Sequence, residues 1–305
     1  MKLYSFSVIL FLKILGVDKY RGDLSKNYFM GSKSILVLMC SFLLTYNCFG
    51  QQKKGSPYQT NLLKDGIWIT AGVGLNILGF NLIQNKDDLT LEELNSLSKD
   101  DIWGVDRWAA GYYSERANSD SYIPFYASFV LPLALLLNEN ERSHAGQISV
   151  LFVETMATTG ALFTITAGLV QKSRPLAYNT SIPAEDRIDS DEQRSFFAGH
   201  TAATAAATFF AAKVFSDFNP DSPLKPYVWS VAAAIPVSVG YLRIKSGKHF
   251  LTDNLIGYAV GAASGILIPE LHKRTNENLQ VYPVTGLFKS ELNVNSSGMA
   301  MTYKF

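Results

Sequence analysis

The tightest constraint on this chain is a series of six apolar segments set between polar connections. They run over Leu62–Ile83, Tyr122–Leu137, Ile148–Val170, Thr201–Phe215, Tyr227–Leu242 and Leu255–Ile268. Their length and composition read as helices. The first carries Gly66, Gly72, Gly74 and Gly79, and the fourth is rich in Ala and Thr, as a tightly packed helix is. The fifth is expected to kink or break at Pro236. In the sixth, Gly257, Gly261 and Gly265 stand four residues apart, a spacing that lets helices approach closely, and Pro269 is expected to stop it. Several segments fall short of the ~20 residues a bilayer demands. The fold expected is therefore an all-α, six-helix bundle, partly or wholly membrane-embedded.

The connections differ in character. Asn85 to Ser121 is polar, acidic and aromatic, and reads as a loop or an interfacial helix. Within it, Asp106, Arg107 and Trp108 suit either a loop facing a substrate or a tryptophan anchor at the membrane interface, and the anchor is favoured. Beyond Lys273 the pattern alternates loosely between Asn, Ser and Gly turns, which predicts a short β-like C-terminal tail.

Hydrophobic residues make up 48% of the chain and charged residues 17%, an apolar balance that points to a membrane or a very apolar helical core. The formal net charge of +1 lacks the basic excess of a nucleic-acid binder, so no nucleic acid is expected as partner. Two cysteines, Cys40 and Cys48, are too few for a structural thiol metal site.

The N-terminus resembles an export signal. Lys33 supplies a positive charge, Ile35–Leu44 is an apolar run of signal length, and cleavage near Gly50 follows. An uncleaved anchor helix is the alternative, and the shortness of the run favours the signal. Met30 is a candidate true start. The expected organisation is a targeting region over 1–50, a linker over 51–61, a helical domain over 62–272 and the tail over 273–305.

Chemistry concentrates in three short runs. The first is Arg174-Pro175, the second is Phe196-Phe197-Ala198-Gly199-His200, and the third places Arg243, His249 and Asp253 in order. Two of the four histidines fall here. Arginines hold a tetrahedral oxyanion by bidentate hydrogen bonds. One histidine attacks phosphorus, a carboxylate orients it, and a second histidine protonates the leaving oxygen. The first run ends the third apolar segment, the second opens the fourth, and the third bridges the fifth and sixth. In an up-down bundle all three meet at one end. A lone histidine is more often packed or superficial. His144 and His272, without partners in sequence, are assigned to surface loops. Lys245 and Lys248 are expected to add positive potential at the mouth of the site.

The three runs resemble the signature of the type 2 phosphatidic acid phosphatase and vanadium haloperoxidase superfamily. That signature reads Lys, six residues, Arg-Pro; then Pro-Ser-Gly-His; then Ser-Arg, five residues, His, three residues, Asp. The resemblance implies His249 as nucleophile, Asp253 as the acceptor that fixes its tautomer, and His200 as general acid. It implies Arg174 and Arg243 as phosphate clamps, with Gly199 letting backbone approach a phosphate oxygen. It implies no metal and no cofactor, since the arginines stabilise the charge.

Three positions depart from the signature. Ala167 stands where the family has its Lys, Ala198 where it has the Ser before Gly199, and Leu242 where it has the Ser before Arg243. Lys172 lies close by in sequence and is the candidate to replace the lost Lys as a phosphate ligand. The implied activity is hydrolysis of a lipid phosphate or diphosphate in a bacterial-type cell envelope, at the inner membrane or in the periplasm. Candidate substrates are phosphatidate, a polyprenyl diphosphate or a lipid A phosphate. A vanadate-dependent haloperoxidase and a non-catalytic lipid-binding member are the alternatives.

Overall fold

The structure is a computed structural model that describes residues 55–274, 279–287 and 295–303. The expected targeting region, with Met30, Cys40 and Cys48, lies outside the described residues.

Six long helices appear among the described residues. They are α1 (Leu62–Gln84), α2 (Glu115–Ser128), α3 (Ala145–Leu169), α4 (Gly199–Phe218), α5 (Lys225–Lys245) and α6 (Leu251–Leu271). Helix α2 runs on through Val130–Ala134 and Leu135–Leu137. It starts at Glu115 rather than Tyr122, because the Ser114 side chain caps it by accepting from the Ala117 N–H. The Asn61 side chain does the same for α1, accepting from Leu63 and Lys64. The polar connection before α2 holds only short helical pieces, among them Leu91–Ser96 and Gly104–Arg107.

Small residues set the helix directions. A Cβ on Gly257 or Gly265 would lie 2.5 Å from the Ala198 carbonyl oxygen and 2.6 Å from that of Ala206, and one on Gly261 would press closer still on Ala202. Four-residue steps in α6 thus match four-residue steps in α4, and the two helices run parallel at close range. Helices α1 and α3 are parallel by the same logic. Gly72 meets Ala157, Gly79 meets Thr164, and the Asn76 amide donates to the Ala157 carbonyl at 2.9 Å. Helix α5 runs back against α4, with Trp229 Nε1 donating to Ser216 Oγ at 2.9 Å.

Neither proline interrupts its helix. Helix α5 continues through Pro236. Its ring removes the hydrogen bond that Ala232 O would receive, and the Thr208 hydroxyl of α4 donates there instead at 2.9 Å. Helix α6 passes Pro269 and ends at Leu271, its last turn closed by the His272 N–H on the Pro269 carbonyl at 3.1 Å.

Five stretches, α1, Glu115–Leu137, α3, α5 and α6, are long and apolar enough to cross a membrane. Their outward faces are apolar: Ile77, Val237 and Leu255 are 65, 60 and 58% exposed. Helix α4 is not among the five. Its Ala202, Ala205, Ala206, Ala207, Phe210 and Ala212 are fully buried, as suits a helix packed on several sides. Strands β1 (Leu279–Leu287) and β2 (Asn295–Tyr303) pair antiparallel, with Leu279 opposite Tyr303, which realises the β-like tail.

The bundle therefore has two unlike ends. One gathers the C-termini of α1, α3 and α5 with the N-termini of α2, α4 and α6. The other gathers the opposite termini.

Candidate active site

All three runs lie at the first of these ends. After α3 the chain extends, and residues 190–195 lie alongside it. Lys172 N bonds Gln193 O at 3.1 Å, Arg174 N bonds Glu192 O at 2.8 Å, and Ser195 N bonds Lys172 O at 3.0 Å. This ladder brings Ser195 and Glu192 beside the first run before α4 begins. The link from α5 to α6 turns at Gly247, whose φ of +74° falls in the left-handed region glycine favours. The turn returns Lys248 and His249 to the end of α5, where both N–H groups bond the Arg243 carbonyl.

His249 is buried, and its Nδ1 lies 2.6 Å from the Ser195 carbonyl oxygen. A carbonyl only accepts, so Nδ1 carries the proton and the neutral ring keeps its lone pair on Nε2. Asp253 does not make this bond, contrary to the role the resemblance implies. Its Oδ2 accepts from Ser195 Oγ at 2.6 Å and from Phe250 N at 3.0 Å, and its Oδ1 accepts from Lys172 Nζ at 2.7 Å. The reason is local. Asp253 sits in the first turn of α6 and folds back to cap it. Its hold on the imidazole passes through Ser195, whose hydroxyl it binds and whose carbonyl binds His249.

Lys172 is likewise placed differently from the expectation that it substitutes for the absent family Lys. Its ammonium lies between two buried carboxylates, 2.7 Å from Asp253 and 3.6 Å from Asp106, which attract it more strongly than an open site. Ala167 itself is fully buried, and its carbonyl accepts from Lys86 Nζ at 2.8 Å. Asp106 is 2% exposed and accepts from the Thr252 N–H and hydroxyl, supporting the start of α6. It is neither an interfacial anchor nor a substrate-facing residue. Trp103 and Trp108, 72 and 50% exposed, carry the aromatic surface of that segment.

Two guanidinium groups flank the histidines. Arg174 Nη1 donates to Asp191 at 2.8 Å and lies 3.5 Å from Glu192. Arg243 Nη1 donates to Asn118 Oδ1 of α2 at 2.6 Å. Both residues are buried, and the Nε of each has no hydrogen-bond partner. Lys248 donates to Glu192 at 2.6 Å, and burial followed by the charge of Arg174 pushes it down to about 8. Burial, then Arg243, then Arg174 hold the His249 and His200 imidazoles well below the usual histidine range. Arg243 and Arg174 thus bear on both rings in the same sense.

His200 stands in the first turn of α4, with its ring 4.7 Å from Phe125 and 5.2 Å from Tyr122 of α2. Gly199 is demanded by packing, since a Cβ would meet the Phe163 ring at 2.6 Å. A groove of about 500 Å³, lined by Tyr112, Ser114, Ala117, Asn179, Leu242 and Lys245, adjoins Arg243 and Asn118 in sequence. The residues not found from sequence are Asn118, Asp191, Glu192 and Ser195. None belongs to the signature, and only Ser195 sits close enough to His200 in sequence to attract notice.

The family model for the PAP2 superfamily matches residues 149–277, which take in all three runs. No curated protein matches the chain. Among solved structures, it is similar to the first transmembrane PAP2 type phosphatidylglycerolphosphate phosphatase from Bacillus subtilis. That likeness has 18% identity and a TM-score of 0.38, covering 77% of this chain and 94% of the other. A likeness at that level says nothing of substrate or mechanism. Residues 149–277 match the PAP2 superfamily, the superfamily that the three runs resemble.

Proposed function

We propose that this chain is a metal-independent phosphatase that cleaves a lipid phosphate or diphosphate through a phosphohistidine at His249. One observation carries the reading: Arg174 and Arg243 are buried, each with an unpaired Nε, and His249 is bonded through Nδ1 so that Nε2 is the free nitrogen.

In this reading the phosphoryl oxygens settle between Arg174 and Arg243, with Lys248 adding charge. His249 Nε2 attacks phosphorus, a phosphorus–nitrogen bond forms, and the bond to the leaving oxygen breaks. His200 supplies the proton that oxygen needs. It starts neutral in the free site, and the negative charge of a bound phosphate offsets the arginines that depress it, so proton uptake accompanies binding. Water then attacks the phosphohistidine, gives its proton to His200, and frees inorganic phosphate with Nε2 restored. The arginines stabilise the charge on the transferring group throughout. Asp253, Ser195 and Lys172 are positioning residues that hold the imidazole.

The apolar faces of the helices support a substrate delivered from a membrane. A groove lined by Ser114, Ala117, Leu242 and Lys245 is the proposed seat of the leaving group, and Lys245 lies 5.1 Å over the Tyr112 ring. The site is read as working in a bacterial-type cell envelope.

Phosphate release by the full chain in detergent and EDTA tests this. The panel is phosphatidate, a polyprenyl diphosphate and a soluble aryl phosphate. Release that prefers a lipid substrate supports the reading. Release from the aryl phosphate alone contradicts the lipid assignment. No release, with bromination on adding vanadate, peroxide and bromide, would transfer the site to haloperoxidase chemistry.

A further inference from the structure

The opposite end of the bundle holds a second convergence of ionisable groups. Asp65 comes from the first turn of α1, Glu154 from the body of α3, and His272 from the end of α6. One ligand atom from each lies within 4.8 Å of the other two. His272 Nε2 is 3.2 Å from Glu154 Oε2 and 3.5 Å from Asp65 Oδ1. Ligands about 2.1 Å from a tetrahedral metal sit ~3.4 Å from one another, so the two histidine–carboxylate separations suit a shared metal ion.

Further observations point to a ligand. Glu154 is fully buried, and neither of its carboxylate oxygens has a hydrogen-bond partner. A buried carboxylate without a donor carries a large desolvation penalty unless a cation meets it. His272 Nδ1 lies 2.8 Å from the Ile268 carbonyl, so that nitrogen carries the proton and Nε2 presents a lone pair to the carboxylates. This is the orientation that metal-binding histidines take. Asp65 is oriented in turn, with Oδ2 accepting from Asn61 N at 2.7 Å and Oδ1 left facing His272. A single proton on Nε2 has one direction and cannot serve both oxygens of Glu154 and Asp65 together, whereas a divalent ion can. Asp65 and Glu154 both fall in apolar, membrane-length helices, where ionisable residues without a role are rare.

We propose that Asp65, Glu154 and His272 bind one divalent metal ion, Zn²⁺ or Mn²⁺, as a structural clamp separate from the phosphate site. One imidazole and two carboxylates suit either ion. The clamp ties three helices whose sequence positions are far apart. It also fastens the chain before α1, because Gln59 N bonds His272 O at 2.8 Å and Arg274 N bonds Pro57 O at 2.9 Å.

The test uses tag-free full-length protein in detergent, stripped with a chelator and then titrated separately with Zn²⁺ and with Mn²⁺. Bound metal is read by elemental analysis and calorimetry, and the melting temperature is read with and without metal. The expected result is about one ion per chain and a higher melting temperature on metal addition. Glu154→Gln and Asp65→Asn, which keep side-chain volume, are expected to weaken binding by more than about tenfold. Metal-independent phosphatase activity at the other end is not expected to follow the metal content. Absence of binding by the wild type overturns the proposal without reference to either variant. Equal binding by wild type and both variants overturns it too. So does a wild type whose melting temperature responds to pH but not to either ion, which would make the cluster a histidine–carboxylate ion pair.

Discussion

The two ends of the bundle use histidine in the same posture and opposite surroundings. At one end His249 anchors Nδ1 on the Ser195 carbonyl at 2.6 Å. At the other His272 anchors Nδ1 on the Ile268 carbonyl at 2.8 Å. Each ring is thereby left with Nε2 to offer. Around His249 stand Arg174, Arg243 and Lys248, which in the proposed reaction hold an anion for the imidazole to attack. Around His272 stand Asp65 and Glu154, which attract a cation for the imidazole to bind. Helix α6 joins the two, with Asp253 in its first turn and His272 just past its last. The difference teaches that a backbone anchor selects the nitrogen, and the neighbouring charges select the chemistry.

The comparison breaks most sharply at the histidines themselves. His249→Ala is expected to lower phosphate release by about 10⁴-fold or more, to the background of the assay, as loss of a nucleophile does. His272→Ala, in protein matched for folded fraction, is expected to keep turnover within about twofold while losing metal. Equal losses in both variants would show that the ends are not chemically separate.

Next come the arginines. Arg243→Gln or Arg174→Gln is expected to cut kcat/KM by about 10²–10³-fold, the cost of removing one oxyanion donor from a buried site. Steady-state kinetics check it. Loss confined to KM would assign them to ground-state binding only.

The acidity of the cationic end gives a third expectation. His200 must be protonated to serve the leaving oxygen, and burial, Arg243 and Arg174 hold it below the usual histidine range in the free protein. The value of kcat/KM, which reports the free enzyme, should therefore decline as pH rises through 6.5 and above. His249 is needed neutral, and the same causes keep it so across that range. A kcat/KM that climbs steadily to pH 8 would contradict the assignment of His200.

A smaller effect is expected at Ser195→Ala. The carbonyl that holds His249 remains, and only the hydroxyl bond to Asp253 is lost. A fall of about 10-fold in kcat is expected, at the low end for a supporting residue. The helix contact that spans both ends has its own test. Gly261→Ala would drive a methyl group into the Ala202 carbonyl and is expected to destabilise the chain by about 1–3 kcal/mol in thermal unfolding.

Much of the architecture is readable from pattern alone. Apolar segments and the Gly257–Gly261–Gly265 spacing foretell the helices and the tight contact of α6 with α4. The prolines mislead because a local rule is met by a distant partner: nothing near Pro236 announces that Thr208 supplies the missing donor. The arginines and histidines of the cationic end are readable because the three runs follow a known signature. The supports are not. Asp253 is close to His249 in sequence, yet helix capping turns it toward Ser195 and Lys172. Sequence alone assigns His144 and His272 to surface loops, but His144 is buried at the start of α3 and His272 meets two acids. The second cluster draws on positions 65, 154 and 272, and no spacing rule connects residues that far apart.

The most direct test of the central claim is to trap the intermediate. Full-length protein turning over a ³²P-labelled lipid phosphate in EDTA would be quenched in alkali and analysed for labelled protein. The expected result is an alkali-stable, acid-labile label on the wild type that maps to His249 and is absent from His249→Ala. Turnover without any labelled protein, or a label that survives in His249→Ala, would contradict a phosphohistidine at His249.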